Sequence, residues 1–158
     1  MSRGKKPLSV TQIIMQLVST DNLLANDRKC FIGVLKESIC ESTIGAQKIF
    51  NEISVILKGR KSEIIKMRGL ILLDYFFQRS KYFRETVCCH LRDLISSVSL
   101  RCDGNAKELI KNKIAMSLIE FVNTWDTIFG SFFSELHAIA RYYRENIGII
   151  GPNAEVYQ

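Results

Sequence analysis

The sequence predicts an all-α protein. Apolar residues recur at helical spacing through most of the chain, whereas the alternation typical of strands is almost absent. Only 2 prolines and 9 glycines occur in 158 residues, which leaves few helix breakers and favours long helices. The joints between helical segments are short, so successive helices are expected to pack as neighbours, either as an antiparallel bundle or as a right-handed superhelical stack of seven to eight helices.

Helix starts are predicted from residues whose side-chain oxygens can accept a backbone N–H of the first turn. Ser9 is the clearest, because Gln12 can reach back to its amide and complete a capping box. The predicted N-caps, in chain order, are Ser9, Asn26 or Asp27, Ser42, Ser80 and Asn105. Gly59 is expected to end the third helix, since glycine is the usual residue just after a helix.

The predicted core follows from the apolar faces of these helices. In helices 2 and 3 it comprises Phe31, Val34, Leu35, Ile39, Ile49, Ile53, Ile56 and Leu57, and in helix 5 Phe83, Val87, Leu91, Leu94, Ile95 and Val98. Helix 4, from about Ser62 to Arg79, is apolar on nearly every side, so other helices are expected to surround it.

A long apolar stripe occupies the C-terminal part of the chain. It comprises Ile110, Ile114, Leu118, Phe121, Trp125, Ile128, Phe132, Leu136, Ile139 and Tyr143. One helix of that length is not expected in so small a domain, so a split at Gly130 and Ser131 is predicted. Residues 9–147 would then form one helical domain, between a basic tail over residues 1–8 and a C-terminal tail over residues 148–158.

The sequence offers no catalytic constellation. His90 adjoins Cys89, but consecutive helical residues point in different directions and cannot act as a base and nucleophile pair. His137 has no acidic residue four positions away on its own helix. Phosphate-binding glycine loops, nucleophile elbows and metal-ligand spacings are not found. We therefore expect a protein that is not an enzyme and uses no cofactor or metal, with Trp125 in the core and its indole N–H on a carbonyl.

Cysteine content and hydropathy indicate the broad class. The 5 cysteines form an odd set without a C-x-x-C pair, which favours a reducing compartment over a disulfide framework or a zinc site. No uncharged apolar span of about 18 residues occurs, so a transmembrane helix is not expected. The net charge of +6 permits an anionic partner without requiring one.

Basic residues form two clusters, one at each end of helix 4. The residues predicted to bind a partner are Lys58, Arg60 and Lys61 at the joint of helices 3 and 4, and Arg79, Lys81 and Arg84 at the joint of helices 4 and 5. Arg79 could instead serve the C-terminus of helix 4, where the macrodipole is negative. Arg84 opposes the dipole at the start of helix 5, so a carboxylate of the protein or of a partner is expected to hold it.

Three segments resemble the N-terminal VHS/ENTH-like helical domain of the UV-stimulated scaffold protein A family. They are FFQRSKYFRETV, NTWDTIFG and FFSELHAIARYYREN, in the order in which that family carries F-x-R-S-x-x-F-R, W-x-x-x-F-G and a tyrosine-containing last helix. The resemblance covers about residues 8–147 and implies a VHS/ENTH-like superhelical stack.

The resemblance also implies a function, that of a non-catalytic scaffold in transcription-coupled nucleotide excision repair, on chromatin in the nucleus. Its implied partners are the Cockayne syndrome WD-repeat subunit of a cullin ubiquitin ligase and the stalled RNA polymerase II assembly. Proteins of that family bind TFIIH through their second half. This sequence has no counterpart of that half, so the resemblance implies no TFIIH binding by these residues. In this interpretation Phe76, Phe77 and Phe83 anchor the joint, while Arg79, Lys81 and Arg84 face outward as a docking surface.

The alternative is a VHS/ENTH trafficking adaptor that binds ubiquitin, sorting signals or phosphoinositides. Ubiquitin-binding VHS domains resemble one another in having a tryptophan early on helix 2. This chain has Phe31 in that neighbourhood and no nearby tryptophan, which disfavours ubiquitin binding. Lys5, Lys6 and Pro7 offer charge without an apolar face before Leu8, which disfavours membrane binding. The basic clusters allow weak, non-specific contact with nucleic acid.

Overall fold

The computed structural model describes residues 8–20, 29–99, 109 and 111–147, and within these ranges all regular structure is helical. The helices are α1 Val10–Val18, α2 Lys29–Val34 with a π-helical turn over Leu35–Ile39, α3 Thr43–Lys58, α4 Glu63–Arg79, α5 Lys81–Val98, α6 Lys113–Phe129 and α7 Ser134–Ile147. The predicted all-α helical stack is confirmed, with seven helices in the described ranges. None of these helices is both long and apolar enough to cross a membrane.

Each of α3, α4 and α5 packs against the next two helices along the chain, and α6 packs against α7. Lys113 Nζ at the start of α6 lies 3.5 Å from Glu63 Oε1 at the start of α4. Phe77 near the end of α4 stacks on Trp125 near the end of α6, with ring centroids 4.0 Å apart. Helices α4 and α6 therefore run parallel, and alternate helices lie side by side as the chain advances along the stack.

The core confirms most of the predicted apolar positions and corrects a few. The predicted residues from Ile49 to Leu57 in α3 are buried, as are those from Phe83 to Ile95 in α5. The prediction that other helices surround α4 on nearly every side is wrong, because Ile64 is 62 % exposed and Ile71 also reaches the surface. Val34 in α2 is exposed rather than buried.

The local caps form where the sequence predicts them. Ser9 Oγ accepts a hydrogen bond from Gln12 N at 3.1 Å, and Ser9 N donates to Gln12 Oε1 at 2.8 Å, which completes the capping box. Ser42 Oγ accepts from Gly45 N at 3.0 Å. Gly59 ends α3 in an extended conformation, and a Cβ there would lie 2.8 Å from the carbonyl oxygen of Val55. The predicted caps Asn26, Asp27 and Asn105 lie outside the described residues.

The C-terminal stripe is interrupted at two places. Asn112 interrupts the stripe just before α6, because its backbone is extended and its Oδ1 accepts from Ala115 N at 3.1 Å as the N-cap of that helix. Its Nδ2 also donates to the carbonyl of Val98 at 3.2 Å. The predicted split at Gly130 is confirmed, since α6 ends at Phe129.

The second interruption changes which residues of the stripe are buried. Ile128, on the last turn of α6, and Phe132, in the turn that follows, project to the surface, against the prediction that they are core residues. Leu136 and Ile139 return to the core in α7.

Candidate protein-docking site

The joint between α4 and α5 is built on one buried serine. Ser80 is the only residue between the two helices, and its extended backbone turns the chain. Its Oγ accepts from Phe83 N at 3.1 Å, which caps α5 as predicted. The same hydroxyl donates to the carbonyl of Cys40 at 2.7 Å, so it also ties the joint to the end of the π-helical turn.

Arg84 does not face outward, and the expected carboxylate does not hold it. Its Nη1 donates to the carbonyls of Phe77 at 2.9 Å and Gln78 at 3.1 Å, and its guanidinium lies over the ring of Phe129, 4.4 Å from the centroid. The last carbonyls of a helix have no partner within the helix and lie at its negative end. Arg84 therefore caps α4 from the first turn of α5.

Arg79 also serves the end of α4, as the structural alternative predicts. Its Nη1 donates to the carbonyl of Tyr75 at 3.2 Å, and its guanidinium lies 3.8 Å from the centroid of the same ring. The side chain remains exposed to solvent. Lys81, the first residue of α5, is exposed and forms no ion pair with any described residue. Both arginines of this joint, Arg79 and Arg84, thus donate hydrogen bonds to carbonyl groups near the end of α4.

The second basic cluster lies at the other end of α4. Lys58 is the last residue of α3, and Arg60 and Lys61 follow in the joint; all are exposed. Helix α4 has 17 residues, which at 1.5 Å per residue separates the two clusters by about 25 Å. The structure thus brings Arg79, Lys81 and Arg84 together and places the other three predicted residues apart from them.

An aromatic layer lies behind the α4–α5 joint. Phe77 stacks on Trp125 and meets Phe129 edge-on, with centroids 4.0 and 5.7 Å apart. Trp125 is fully buried, as predicted. Its Nε1 donates to Asp74 Oδ1 at 2.7 Å, so the indole partner is a carboxylate rather than a carbonyl. Gln78 Nε2 donates to the same carboxylate at 2.8 Å.

A buried carboxylate that sequence reasoning missed organises the turn between α6 and α7. Asp126 Oδ1 lies 3.0 Å from His137 Nδ1, and Asp126 Oδ2 accepts a hydrogen bond from Arg144. Spacing along α7 gives His137 no acidic partner, because its partner Asp126 lies on the preceding helix. Gly130 is required here, since a Cβ would overlap the Asp126 carboxylate.

Among the described residues, Cys40, Cys88, Cys89 and His90 do not form a reactive site. Burial raises the pKa of Cys40 to about 11 and that of Cys88 to about 12, so both remain protonated thiols at neutral pH. Cys89 is exposed, and His90 stacks on Phe50 with centroids 5.6 Å apart. Within the described part of the chain, no group of three or more histidine, cysteine or acidic residues could hold a metal ion.

Comparison of the chain with protein-family models, with curated proteins and with solved structures gives no match. The resemblance to the UV-stimulated scaffold protein A family therefore remains a prediction from the residues. The geometry adds that its three segments meet in space. Phe77 of the first segment stacks on Trp125 of the second, and Asp126 of the second pairs with Arg144 of the third.

Proposed function

We propose that this protein is a non-catalytic docking domain of transcription-coupled nucleotide excision repair. It would bind the Cockayne syndrome WD-repeat subunit of a cullin ubiquitin ligase and, through that complex, the stalled RNA polymerase II assembly on chromatin in the nucleus. The observation that supports this best is the convergence of the three resembling segments. The first segment is distant in the sequence from the other two, yet Phe77 stacks on Trp125 and Arg84 lies over Phe129 of the second, while Asp126 of the second pairs with Arg144 of the third.

The α4–α5 joint suits a docking role because its backbone is held before any partner arrives. Ser80 fixes the turn from inside, and Arg84 clamps the end of α4 to α6. A surface that is already ordered loses little conformational entropy on binding. Lys81 and Arg79 are the exposed cations of this joint, and so are the residues available to a partner.

The test is binding of the purified WD-repeat subunit to the whole chain. Lys81→Glu should weaken binding about tenfold, since a charge reversal at an interface opposes a complementary acidic surface. Lys48→Glu is the matched control, because it makes the same change at an exposed lysine of α3 that belongs to neither basic cluster. Arg84→Glu would not test partner binding alone, since it would also remove the hydrogen bonds that cap α4.

The outcomes separate the candidate functions. Failure of the unaltered chain to bind the subunit would contradict the proposal. An equal loss in both charge-reversal variants would place the docking surface elsewhere. Binding to monoubiquitin or to phosphoinositide vesicles, without binding to the subunit, would favour the trafficking adaptor.

A further inference from the structure

The end of the stack that carries the α4–α5 joint also exposes apolar side chains. Phe132, in the turn between α6 and α7, is 78 % exposed, and Ile128 on the last turn of α6 is 52 % exposed. Tyr82 at the start of α5 is exposed as well. We call Arg79, Lys81, Tyr82, Ile128 and Phe132 the corner surface.

The two parts of the corner surface belong to one end of the molecule. Arg84, from the first turn of α5, lies over Phe129, the last residue of α6, and Phe77 near the end of α4 packs against the same ring. The residues that follow Phe129 therefore emerge beside the α4–α5 joint. Aromatic residues and arginine are the types that most often dominate binding energy at protein interfaces.

The turn that carries Phe132 is held on both sides. Phe132 N donates to the carbonyl of Phe129 at 2.9 Å, and Gly130 N donates to the carbonyl of Asp126 at 2.8 Å. The Asp126 carboxylate pairs across the turn with His137 and with Arg144 of α7. The backbone that carries Phe132 is thus held in place by neighbouring residues while its ring is exposed. This is expected of a pre-organised anchor residue.

The charge of the corner surface is positive. Asp74 is engaged by Trp125 and Gln78, and Asp126 is engaged by His137 and Arg144. Glu85, one turn further along α5, is an exposed acidic residue close to the joint. An occupant that matches both the apolar and the cationic residues must combine an apolar recess with negative charge.

We infer that the corner surface docks a folded protein face that has an apolar pocket for Phe132, bordered by carboxylates for Arg79 and Lys81. This inference rests on the proposed function and assigns that face to the WD-repeat subunit. Phe132 supplies the buried anchor, and the two cations supply orientation and salt-dependent attraction.

Two other anionic occupants fit less well. Electrostatic attachment to anionic lipid typically uses about four to eight clustered basic residues, whereas Arg79 and Lys81 are the cations of the corner surface. A single nucleic-acid strand whose phosphates were contacted by these two residues would release about two counterions. Its affinity would therefore be weak and would change little with salt concentration.

The experiment measures the affinity of the whole chain for the purified WD-repeat subunit by calorimetry. Phe132→Ser should weaken binding by about tenfold or more without lowering the melting temperature, because the ring is exposed in the free protein. Ile64→Ser is the matched control, since Ile64 is a similarly exposed apolar residue at the start of α4. Its affinity should stay within about twofold of the unaltered chain.

Each outcome decides the inference. Full binding by Phe132→Ser overturns it and leaves the proposed function standing, whereas no binding by the unaltered chain overturns both. Parallel titrations use vesicles of phosphatidylserine and a single-stranded oligonucleotide. If Phe132→Ser abolishes binding to either of these and not to the subunit, the inferred occupant is wrong.

Discussion

At the scale of single residues, a few side chains each stabilise two or more elements. Arg84 connects three helices: it belongs to α5, donates to carbonyls of α4 and lies over a ring of α6. Asp126 does the same for the last two helices through His137 and Arg144. Because these contacts depend on residues of other helices, charge and spacing alone predict a carboxylate for Arg84 and no partner on its own helix for His137.

Gly130 offers a test at the same scale. Gly130→Ala should lower the free energy of unfolding by about 1–3 kcal/mol, because its Cβ would overlap the Asp126 carboxylate and force that buried group to move. Gly33→Ala is the control within α2, where an added Cβ meets nothing within 4 Å, and it should leave stability unchanged or raise it by up to about 1 kcal/mol. Urea denaturation of both variants measures the difference. Equal stability of the two would show that the carboxylate is not confined as the structure has it.

At the scale of elements, helix starts depend on capping serines whose environments differ. Ser62 caps α4 through one exposed hydrogen bond to Ile65 N at 3.3 Å, whereas Ser80 caps α5 and also donates to a buried carbonyl. Ser62→Ala should therefore destabilise the protein by about 1 kcal/mol. Ser80→Ala should cost about 2–3 kcal/mol, since it leaves the Cys40 carbonyl without that donor. Thermal and urea unfolding would contradict this if the two losses were the same.

Element prediction succeeded where the signal is local. The caps at Ser9, Ser42 and Ser80 were all predicted, because a capping bond joins residues three positions apart. It failed at Asn112, which sits inside an apolar periodicity that continues on both sides, and whose amide reaches Val98. Of the candidate site, the sequence predicts the joint, but it places Phe132 in the core, because the apolar stripe continues through the turn after Gly130 although the helix does not.

At the scale of the whole molecule, the buried thiols give the fold a dependence on alkaline pH. Burial raises the pKa of Cys40 to about 11 and that of Cys88 to about 12, from the ordinary value of 9.0 that a thiol has in an unfolded chain. Between these values the unfolded state releases protons that the folded state retains, so the free energy of unfolding should fall as the pH rises above about 9. Cys88→Ala should show a shallower fall in urea titrations between pH 8 and pH 11. Parallel curves for the variant and the unaltered chain would count against the burial of this thiol.

The stack also determines how the molecule would respond to mechanical load. Each of α3, α4 and α5 packs against the next two helices along the chain, whereas α1 is held chiefly by α3 and α4, and α7 by α5 and α6. If the chain were stretched in an optical trap, these outer helices would detach first and the remaining helices would yield after them. The extension trace would then rise in steps from the two ends inward, with the α4–α5 joint among the last parts to give way.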